Sequence, residues 1–274
     1  MLDVPNSRPE KSFANGKILQ SFGDGIGIVT FNNPEKRNAM SLDMWEGLGQ
    51  SLIELRDDPD VRVVILTGAG DKAFVSGADI SQFEKTRHNA EASEEYSRRS
   101  AAQRALLADY PKPTIACIRG FCLGGGMQVA MLTDIRFAAD NSQFGIPAAK
   151  LGIAYGYDGL RNLVSLVGPS WARLIMYTGM RIGSAEAQRI GLVDRVLPDT
   201  ELWDATMEVA RTISGNAPLA IKAAKITIAQ VLKDPDQRDF DAIKDIGTAC
   251  MDSEDFREGR RAFMEKRKPE FKGK

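Results

Sequence analysis

Cysteine, histidine and long apolar runs are scarce in this 274-residue chain. Its three cysteines, Cys117, Cys122 and Cys250, include no Cys-x-x-Cys pair, so the sequence indicates neither a disulfide framework nor a zinc site, and we expect no metal. No stretch approaches the roughly 18 consecutive apolar residues of a transmembrane helix, and residues 1–17 lack the apolar run of a signal peptide. We therefore expect a cytoplasmic protein with reduced thiols and no membrane contact.

An excess of charge of one sign is missing as well. Lys and Arg total 36 against 37 for Asp and Glu, so no strong field favours nucleic acid or an acidic membrane surface. Hydrophobic residues make up 43% of the chain and charged residues 27%, which is ordinary for a globular protein with a sizeable core. The only histidine, His88, lies in a polar, charged stretch, where a solvated side chain is more frequent than a catalyst.

Glycine is concentrated in one segment, residues 120–128 (GFCLGGGMQ). The run before it, 113–118, predicts a buried strand, and the run after it, 127–132, predicts a short buried helix. Glycines at such a turn let a ligand approach the backbone, and the N–H groups of a helix's first turn carry the positive end of its dipole. The segment is therefore a candidate site for an oxyanion, although a closely packed turn would give the same pattern.

A second segment, residues 73–80 (AFVSGADI), follows another predicted strand over 61–67. Together the two segments resemble the enoyl-CoA hydratase/isomerase (crotonase) superfamily. Three further segments are similar to motifs of that family and follow the family's order: residues 32–41 (NNPEKRNAMS), residues 190–196 (IGLVDRV), and residues 253–269, which begin SEDFREG and end FMEKRKP. The resemblance covers the chain from about Lys17 onward.

Local patterns predict the first elements of the fold. Alternating apolar residues predict a β-hairpin over 18–31, and helical spacing predicts a helix that starts with Ser41 as its N-cap and stops before Pro59. Two more short strands are predicted over 134–139 and 142–145. The resemblance implies their assembly: an α/β, crotonase-like spiral of strand–strand–helix turns over residues 18–198, after a flexible N-terminal arm, 1–17.

Two amphipathic stripes follow residue 198. They consist of Leu202, Thr206, Val209 and Ile213, and of Ile221, Ala224, Ile228 and Val231. Helices of this kind have apolar faces with little sheet to cover. The resemblance implies that residues 199–274 form a C-terminal helical trimerisation region, so we expect a homotrimer or a dimer of trimers.

The resemblance also implies the ligand. The backbone amides of Ala78 and Gly125 match those that hydrogen-bond the thioester oxygen of a bound acyl-CoA, where negative charge grows as an enolate forms. Coenzyme A is then part of the substrate, and no separate cofactor is implied. The positions that match coenzyme A contacts of the family are Lys36, Arg37, Ala39, Ser76, Asp79, Ile80, Phe263 and Lys266. In the family a neighbouring subunit often supplies the last two of them. Each basic residue among them could instead be a solvated surface charge.

The chain departs from the family at the catalytic carboxylates. Hydratases of the family carry two glutamates that position and activate water, and the matching residues here are Gln128 and Ala148. Glutamine can orient a water molecule but cannot take its proton at neutral pH, and alanine can do neither. The ordinary two-carboxylate hydration is therefore not expected.

A loop that lines the acyl pocket in the family offers a replacement. Asp158 lies there beside Tyr155 and Tyr157, and it could act as a single acid or base while a tyrosine donates a hydrogen bond. Asp158 immediately before a predicted helix is also a good N-cap. Both interpretations stay open at this point.

The sequence thus predicts an acyl-CoA enzyme, a lyase or isomerase, that stabilises a thioester enolate. Isomerisation, decarboxylation and thioester hydrolysis need the oxyanion site but not both glutamates, and hydration through Asp158 and Gln128 is an alternative. A non-catalytic acyl-CoA-binding protein is another. An RNA-binding relative would need a lysine comb, whereas residues 90–110 carry Arg98, Arg99 and Arg104 among acidic residues. The acyl group depends on how residues 81–110 and 146–160 close over the pocket.

Overall fold

The structure, a computed structural model, describes residues 8–79 and 89–274. Short strands alternate with helices along most of the chain. The strands are β1 (Lys11–Phe13), β2 (Ile18–Gly23), β3 (Ile26–Phe31), β4 (Val63–Gly68), β5 (Ala73–Val75), β6 (Thr114–Ile118), β7 (Phe121–Leu123), β8 (Ile135–Ala139), β9 (Gln143–Gly145), β10 (Arg181–Gly183) and β11 (Arg195–Leu197). The helices are α1 (Leu42–Asp57), α2 (Ala90–Ala108), α3 (Gly125–Leu132), α4 (Tyr157–Thr178), α5 (Ser184–Arg189), α6 (Asp199–Gly215), α7 (Pro218–Val231), α8 (Phe240–Asp252) and α9 (Glu254–Glu265).

Two sheets share these strands. The larger sheet has seven strands in the order β1-β2-β3-β4-β6-β8-β11, antiparallel up to β3 and parallel from there on. The smaller has four, in the order β10-β9-β7-β5, with β5, β7 and β9 parallel. After β4 the chain alternates between them: β4, β6 and β8 belong to the large sheet, and the strand after each belongs to the small one. The strand–strand–helix spiral is confirmed.

Both faces of the large sheet are buried, which explains the nearly continuous apolar strands. Along β4, Val64 and Leu66 belong to the main core, whereas Val63 and Ile65 belong to a second apolar cluster on the other face. Helix α6 covers that second face with Leu202, Met207 and Ala210. The expectation that the helices after residue 198 cover little sheet is therefore wrong for α6, because an uncovered apolar sheet face would cost free energy in water.

The N-terminal segment is also more ordered than predicted. The expected flexible arm is wrong for residues 8–17, because β1 pairs with β2 in antiparallel register. The Arg8 amide donates to Phe22 O at 2.9 Å, and its guanidinium carbon lies 4.2 Å from the centroid of the Phe22 ring. The predicted hairpin of β2 and β3 is confirmed. Ser41 does precede α1, but its hydroxyl bonds to the side chain of Asp43 and caps no backbone N–H.

Helices α7, α8 and α9 leave large apolar side chains exposed. No residue of α7 or α8 is buried, and Phe263 on α9 is 82% exposed. The others are Ile228, Val231, Leu232, Phe240, Met251, Phe256 and Met264. Within the described ranges, every helix is too short or too polar to cross a bilayer.

Asn38 ties the segments around β5 together. It is fully buried with a left-handed φ of 56°. Its side-chain amide donates to Ala69 O at 3.0 Å and to Ala73 O at 2.7 Å, and its Oδ1 accepts from the Asn33 N–H at 2.9 Å. One side chain thus satisfies three backbone groups beside the strand that leads into Ala78.

We expect Asn38→Ala to lower the free energy of unfolding by about 3 kcal/mol, because it leaves three backbone groups, one buried and two partly buried, without their hydrogen-bond partner. Asn15→Ala is the matched control: Asn15 also has a left-handed φ, of 55°, but is exposed, and should cost about 1 kcal/mol. Urea denaturation of both variants measures the difference. Equal losses would mean that Asn38 matters only for its backbone conformation.

Candidate active site

Two adjacent turns of the spiral bring Ala78 and Gly125 together. β5 and β7 are parallel neighbours in the small sheet, so the segments that follow them emerge side by side at the same edge. Both segments turn on glycine: Gly77 has a φ of 126° and Gly124 a φ of 49°. A Cβ built on Gly124 would lie 3.7 Å from the Gly77 Cα, so the two turns are in direct contact.

The Ala78 N–H lies close to Gly125. The residues on either side of it bond to Met40: the Met40 N–H donates to Gly77 O, and the Asp79 N–H donates to Met40 O, both at 2.8 Å. Because backbone groups alternate in direction along extended chain, the Ala78 N–H points away from Met40. The Ala78 nitrogen lies 3.8 Å from the position that a Cβ on Gly125 would occupy.

The Gly125 N–H belongs to the first turn of α3, where the helix provides no acceptor. The Gly124 carbonyl accepts the first helical hydrogen bond, from the Gln128 N–H at 3.1 Å, so the helix axis and its dipole start at this point. Within residues 8–79 and 89–274, neither the Ala78 N–H nor the Gly125 N–H has a hydrogen-bond acceptor. These two N–H groups belong to adjacent turns of the spiral.

Both amides line a cavity of about 350 Å³. Gln128 contributes to its wall from α3, and Ala148, which is 5% exposed, contributes from the turn after β9, the next strand of the small sheet. Of the described residues that line this cavity, none carries a carboxylate. The wall thus offers amide and hydroxyl groups but no acidic side chain in the described part of the chain.

Tyr155 borders the two donors. Its ring packs against Gly159, where an added Cβ would come within 2.8 Å of a ring carbon, and its hydroxyl lies 3.4 Å from Gly124 O. Burial raises the pKa of Tyr155 far above its ordinary value, while a hydrogen bond with the Gln128 side chain acts in the opposite direction. The phenol therefore stays protonated at neutral pH and serves as a donor.

Asp158 lies outside this cavity. The N-cap of α4 is Gly156, so the prediction of Asp158 as N-cap is wrong: the helix begins one residue before it, and Asp158 lies exposed in the first turn. Its side chain borders an adjoining cavity of about 320 Å³. Gln128 and Arg104 line both cavities and separate them. Tyr157 is 77% exposed beside Asp158.

The predicted coenzyme A residues fall into two groups. Lys36, Arg37, Ala39, Ser76 and Asp79 lie close to Ala78. Lys36 Nζ pairs with the buried Asp79 at 3.0 Å, and the Arg37 guanidinium lies 5.4 Å from the centroid of the Phe121 ring. Ser76 lines the cavity. This group borders the Ala78 side of the site.

Phe263 and Lys266 form the second group, at the end of α9. They do not line the cavity; Phe263 borders a separate apolar groove of about 570 Å³. Lys266 is the C-cap of α9, with a left-handed φ of 52°. Ile80, His88 and the rest of 80–88 lie outside the described residues.

The sequence predicted that residues 81–110 close over the pocket but did not single out the residues of α2 in the cavity wall. Tyr96, Ser100 and Arg104 line it, together with Trp45 of α1. Their spacing of four residues places the three on one face of a helix, a signal that was present in the sequence. What the sequence did not indicate was which face of the helix would line the cavity.

A spiral of two mixed sheets with a cavity at the ends of their parallel strands defines the class, and comparison with known proteins gives the family. The family model described as Enoyl-CoA hydratase/isomerase matches residues 21–274. The Short-chain-enoyl-CoA hydratase of Clostridium acetobutylicum is 37% identical over 260 residues, 93% of this chain and 97% of the relative. The Carnitinyl-CoA dehydratase of Salmonella agona is 34% identical over 266 residues, 95% and 97% of the two chains.

A crystal structure of an enoyl-CoA hydratase/carnithine racemase from Magnetospirillum magneticum superposes with a TM-score of 0.90 at 36% identity, covering 94% of this chain and 96% of that one. This chain belongs to the enoyl-CoA hydratase/isomerase family. Its expected membership is confirmed.

Gly126 sets the distance between the two amides. A Cβ at this position would overlap the Val75 carbonyl oxygen and would lie 2.9 Å from the Val75 Cβ. We expect Gly126→Ala to push α3 away from β5, to lower the free energy of unfolding by about 2 kcal/mol, and to weaken binding of crotonyl-CoA.

Gly247→Ala in α8 is the control, because its Cβ would meet nothing within 4 Å and alanine favours the helix. Thermal denaturation and titration calorimetry with crotonyl-CoA measure the two effects. Unchanged stability and affinity in Gly126→Ala would contradict the close fit between α3 and β5.

Proposed function

We propose that this protein is an acyl-CoA enzyme that stabilises a thioester enolate with the backbone amides of Ala78 and Gly125. Two adjacent backbone donors that have no acceptor among residues 8–79 and 89–274, at the wall of one cavity, carry this proposal. When a thioester becomes an enolate, negative charge develops on its oxygen, and fixed donors aimed at that oxygen stabilise the transition state more than the ground state. Each donor of such a pair is worth about 3 to 4 kcal/mol in other enzymes.

We further propose that two-carboxylate hydration is not its reaction. The relatives named above include a hydratase and a dehydratase, whose names describe the addition or loss of water. Here Gln128 and Ala148 occupy the places where the family resemblance puts two glutamates. The Gln128 amide can hold a water molecule or an acyl oxygen, but it cannot accept a proton at neutral pH. Enolate reactions that do not need both carboxylates are isomerisation, decarboxylation and thioester hydrolysis.

The proposed path of coenzyme A passes Ser76 and Asp79 and ends near Lys36 and Arg37. Lys36 and Arg37 can give charge-assisted hydrogen bonds to phosphate oxygens. Asp79, buried and paired with Lys36, holds that ammonium group beside the segment that carries Ala78. Ala39 lies next to Met40, which pairs with the segment around Ala78.

A panel of thioesters tests the reaction: crotonyl-CoA, a 3-enoyl-CoA, malonyl-CoA and butyryl-CoA, with products followed by mass spectrometry. We expect little water addition to crotonyl-CoA and turnover of another member. The double variant Gln128→Glu, Ala148→Glu should gain water addition, by about tenfold or more, because general acid–base groups contribute at least that much. The two single variants are the controls.

Rapid hydration by the unmodified protein would contradict the second proposal, and its loss in Asp158→Asn would assign the base to Asp158. Tight binding of all four thioesters without turnover would contradict the first and favour a non-catalytic acyl-CoA-binding protein.

We also propose that the protein assembles as a trimer or a pair of trimers through α7, α8 and α9. The exposed apolar side chains of these helices would be costly in a monomer, and closed cyclic symmetry is the usual solution. In such an assembly Phe263 and Lys266 reach the coenzyme A site of a neighbouring subunit.

Light scattering should therefore give three or six times the chain mass of 30.0 kDa. Val231→Asp should dissociate the assembly, since it buries a charge at the contact, and should weaken coenzyme A binding at the same time. Thr212→Asp, at an exposed position on α6, is the control for an added charge. A monomeric mass for the unmodified protein would contradict the assembly.

A further inference from the structure

The chain folds back along α9 after that helix ends. Asp255, in the first turn of α9, is 3% exposed, and its two carboxylate oxygens accept hydrogen bonds from the Lys272 N–H at 2.7 Å and the Gly273 N–H at 2.8 Å. One turn further along the helix, the Glu258 carboxylate accepts from the Glu270 N–H at 3.0 Å. The segment from Glu270 to Gly273, which we call the strap, is therefore bound along α9 by its own backbone amides.

Arg62 joins the strap to the rest of the fold. It lies immediately before β4, and its own amide donates to Gly25 O, between β2 and β3, at 2.8 Å. Its guanidinium donates from Nη2 to Phe271 O in the strap at 2.6 Å and from Nη1 to Ser214 O, near the end of α6, at 2.9 Å. Hydrogen bonds from a charged donor are stronger than neutral ones, and the last carbonyls of a helix lack helical partners. One partly buried side chain thus bridges the large sheet, α6 and the strap.

Helix α9 has few buried side chains of its own. They are Ala262 and Asp255, and Asp255 binds the strap. The Phe271 ring of the strap lies against Gly259, where an added Cβ would come within 3.5 Å of a ring carbon, and it lines the apolar groove that Phe263 also borders. Since few of its own side chains hold α9 in place, its direction relative to the large sheet depends on the strap, and so on the arginine before β4.

We propose that Arg62 is a positioning residue for the binding of coenzyme A. Through the strap it fixes the direction in which α9 presents Phe263 and Lys266, without contacting the ligand itself. This inference rests on the proposed function, because it needs those two residues to reach the coenzyme A site of a neighbouring subunit. An arginine at the start of β4 then raises the affinity of a site that belongs to another copy of the chain.

Butyryl-CoA and S-butyrylpantetheine test the inference, because they share the thioester and differ in the phosphates and adenine, the groups that a lysine and an aromatic ring can bind. With Arg62→Gln, titration calorimetry should give a dissociation constant about fivefold higher for butyryl-CoA and changed by less than about twofold for S-butyrylpantetheine. Arg62→Lys, which keeps the charge but not the planar fork, should retain part of the affinity. Light scattering should give the same mass for both variants as for the unmodified protein.

A double-mutant cycle tests whether Arg62 acts through α9. Its second arm is the variant Phe263→Ala, Lys266→Gln, which lacks both of the side chains that the strap positions. Losses of affinity are non-additive when one residue acts through another. Adding Arg62→Gln to that variant should therefore weaken butyryl-CoA binding by less than about twofold. A further fivefold loss would mean that Arg62 acts elsewhere, and would overturn the inference.

Arg119→Gln is the matched control. The Arg119 guanidinium also ties the large sheet to α6, through the side chain and the carbonyl oxygen of Asp199, at the opposite end of that helix from Ser214. It should change neither dissociation constant by more than about twofold. An unchanged butyryl-CoA constant in Arg62→Gln, equal losses for the two thioesters, or dissociation of the assembly would each overturn the inference and leave the proposed enzyme intact. If the unmodified protein bound neither thioester, or were a monomer, the proposed function would fail and the inference with it.

Discussion

The parallel pairing of β5 with β7 is the constraint on which the site depends. It places the segments after the two strands at one edge, so that two backbone amides some 50 residues apart in the chain become neighbours. Gly126 lets α3 approach β5 without steric overlap, and Asn38 fixes the chain on the other side of β5 through three backbone hydrogen bonds. The two amides are therefore positioned by the packing of sheet and helix.

Because the donors are main-chain groups, the side chains around them are left to determine the reaction. Gln128 follows one amide by a single helical turn, and Ala148 follows the neighbouring strand β9. Either position can change from acid to amide to methyl without moving the sheet. The proposed charge stabilisation by backbone amides is therefore separate from proton transfer by side chains, and the cavity wall, as far as it is described, has no carboxylate.

The strands and the glycine turns could be predicted because their signals are local: alternation, apolar runs and glycine at a strand end. The partner of an amphipathic helix is not a local property. Helices α6 and α7 carry similar apolar stripes, yet α6 is buried against the large sheet and α7 has no buried residue. The predicted start of α4 was also wrong, because the helix begins at Tyr157, with Gly156 as its N-cap, before Asp158. The sequence showed Arg104 only as one charge among several, because its place in the cavity wall depends on where α2 packs.

The spiral also sets the spacing of the groups at the strand ends. The ends of neighbouring strands lie about 4.8 Å apart. The Ala78 amide follows β5, the Gly125 amide and Gln128 follow β7, and Ala148 follows β9, so these groups are arranged in steps along one edge of the small sheet. A ligand that crosses that edge would meet these groups in the order in which the strands are hydrogen-bonded. The order of the groups along the ligand is then a property of the sheet, whichever side chains occupy the positions.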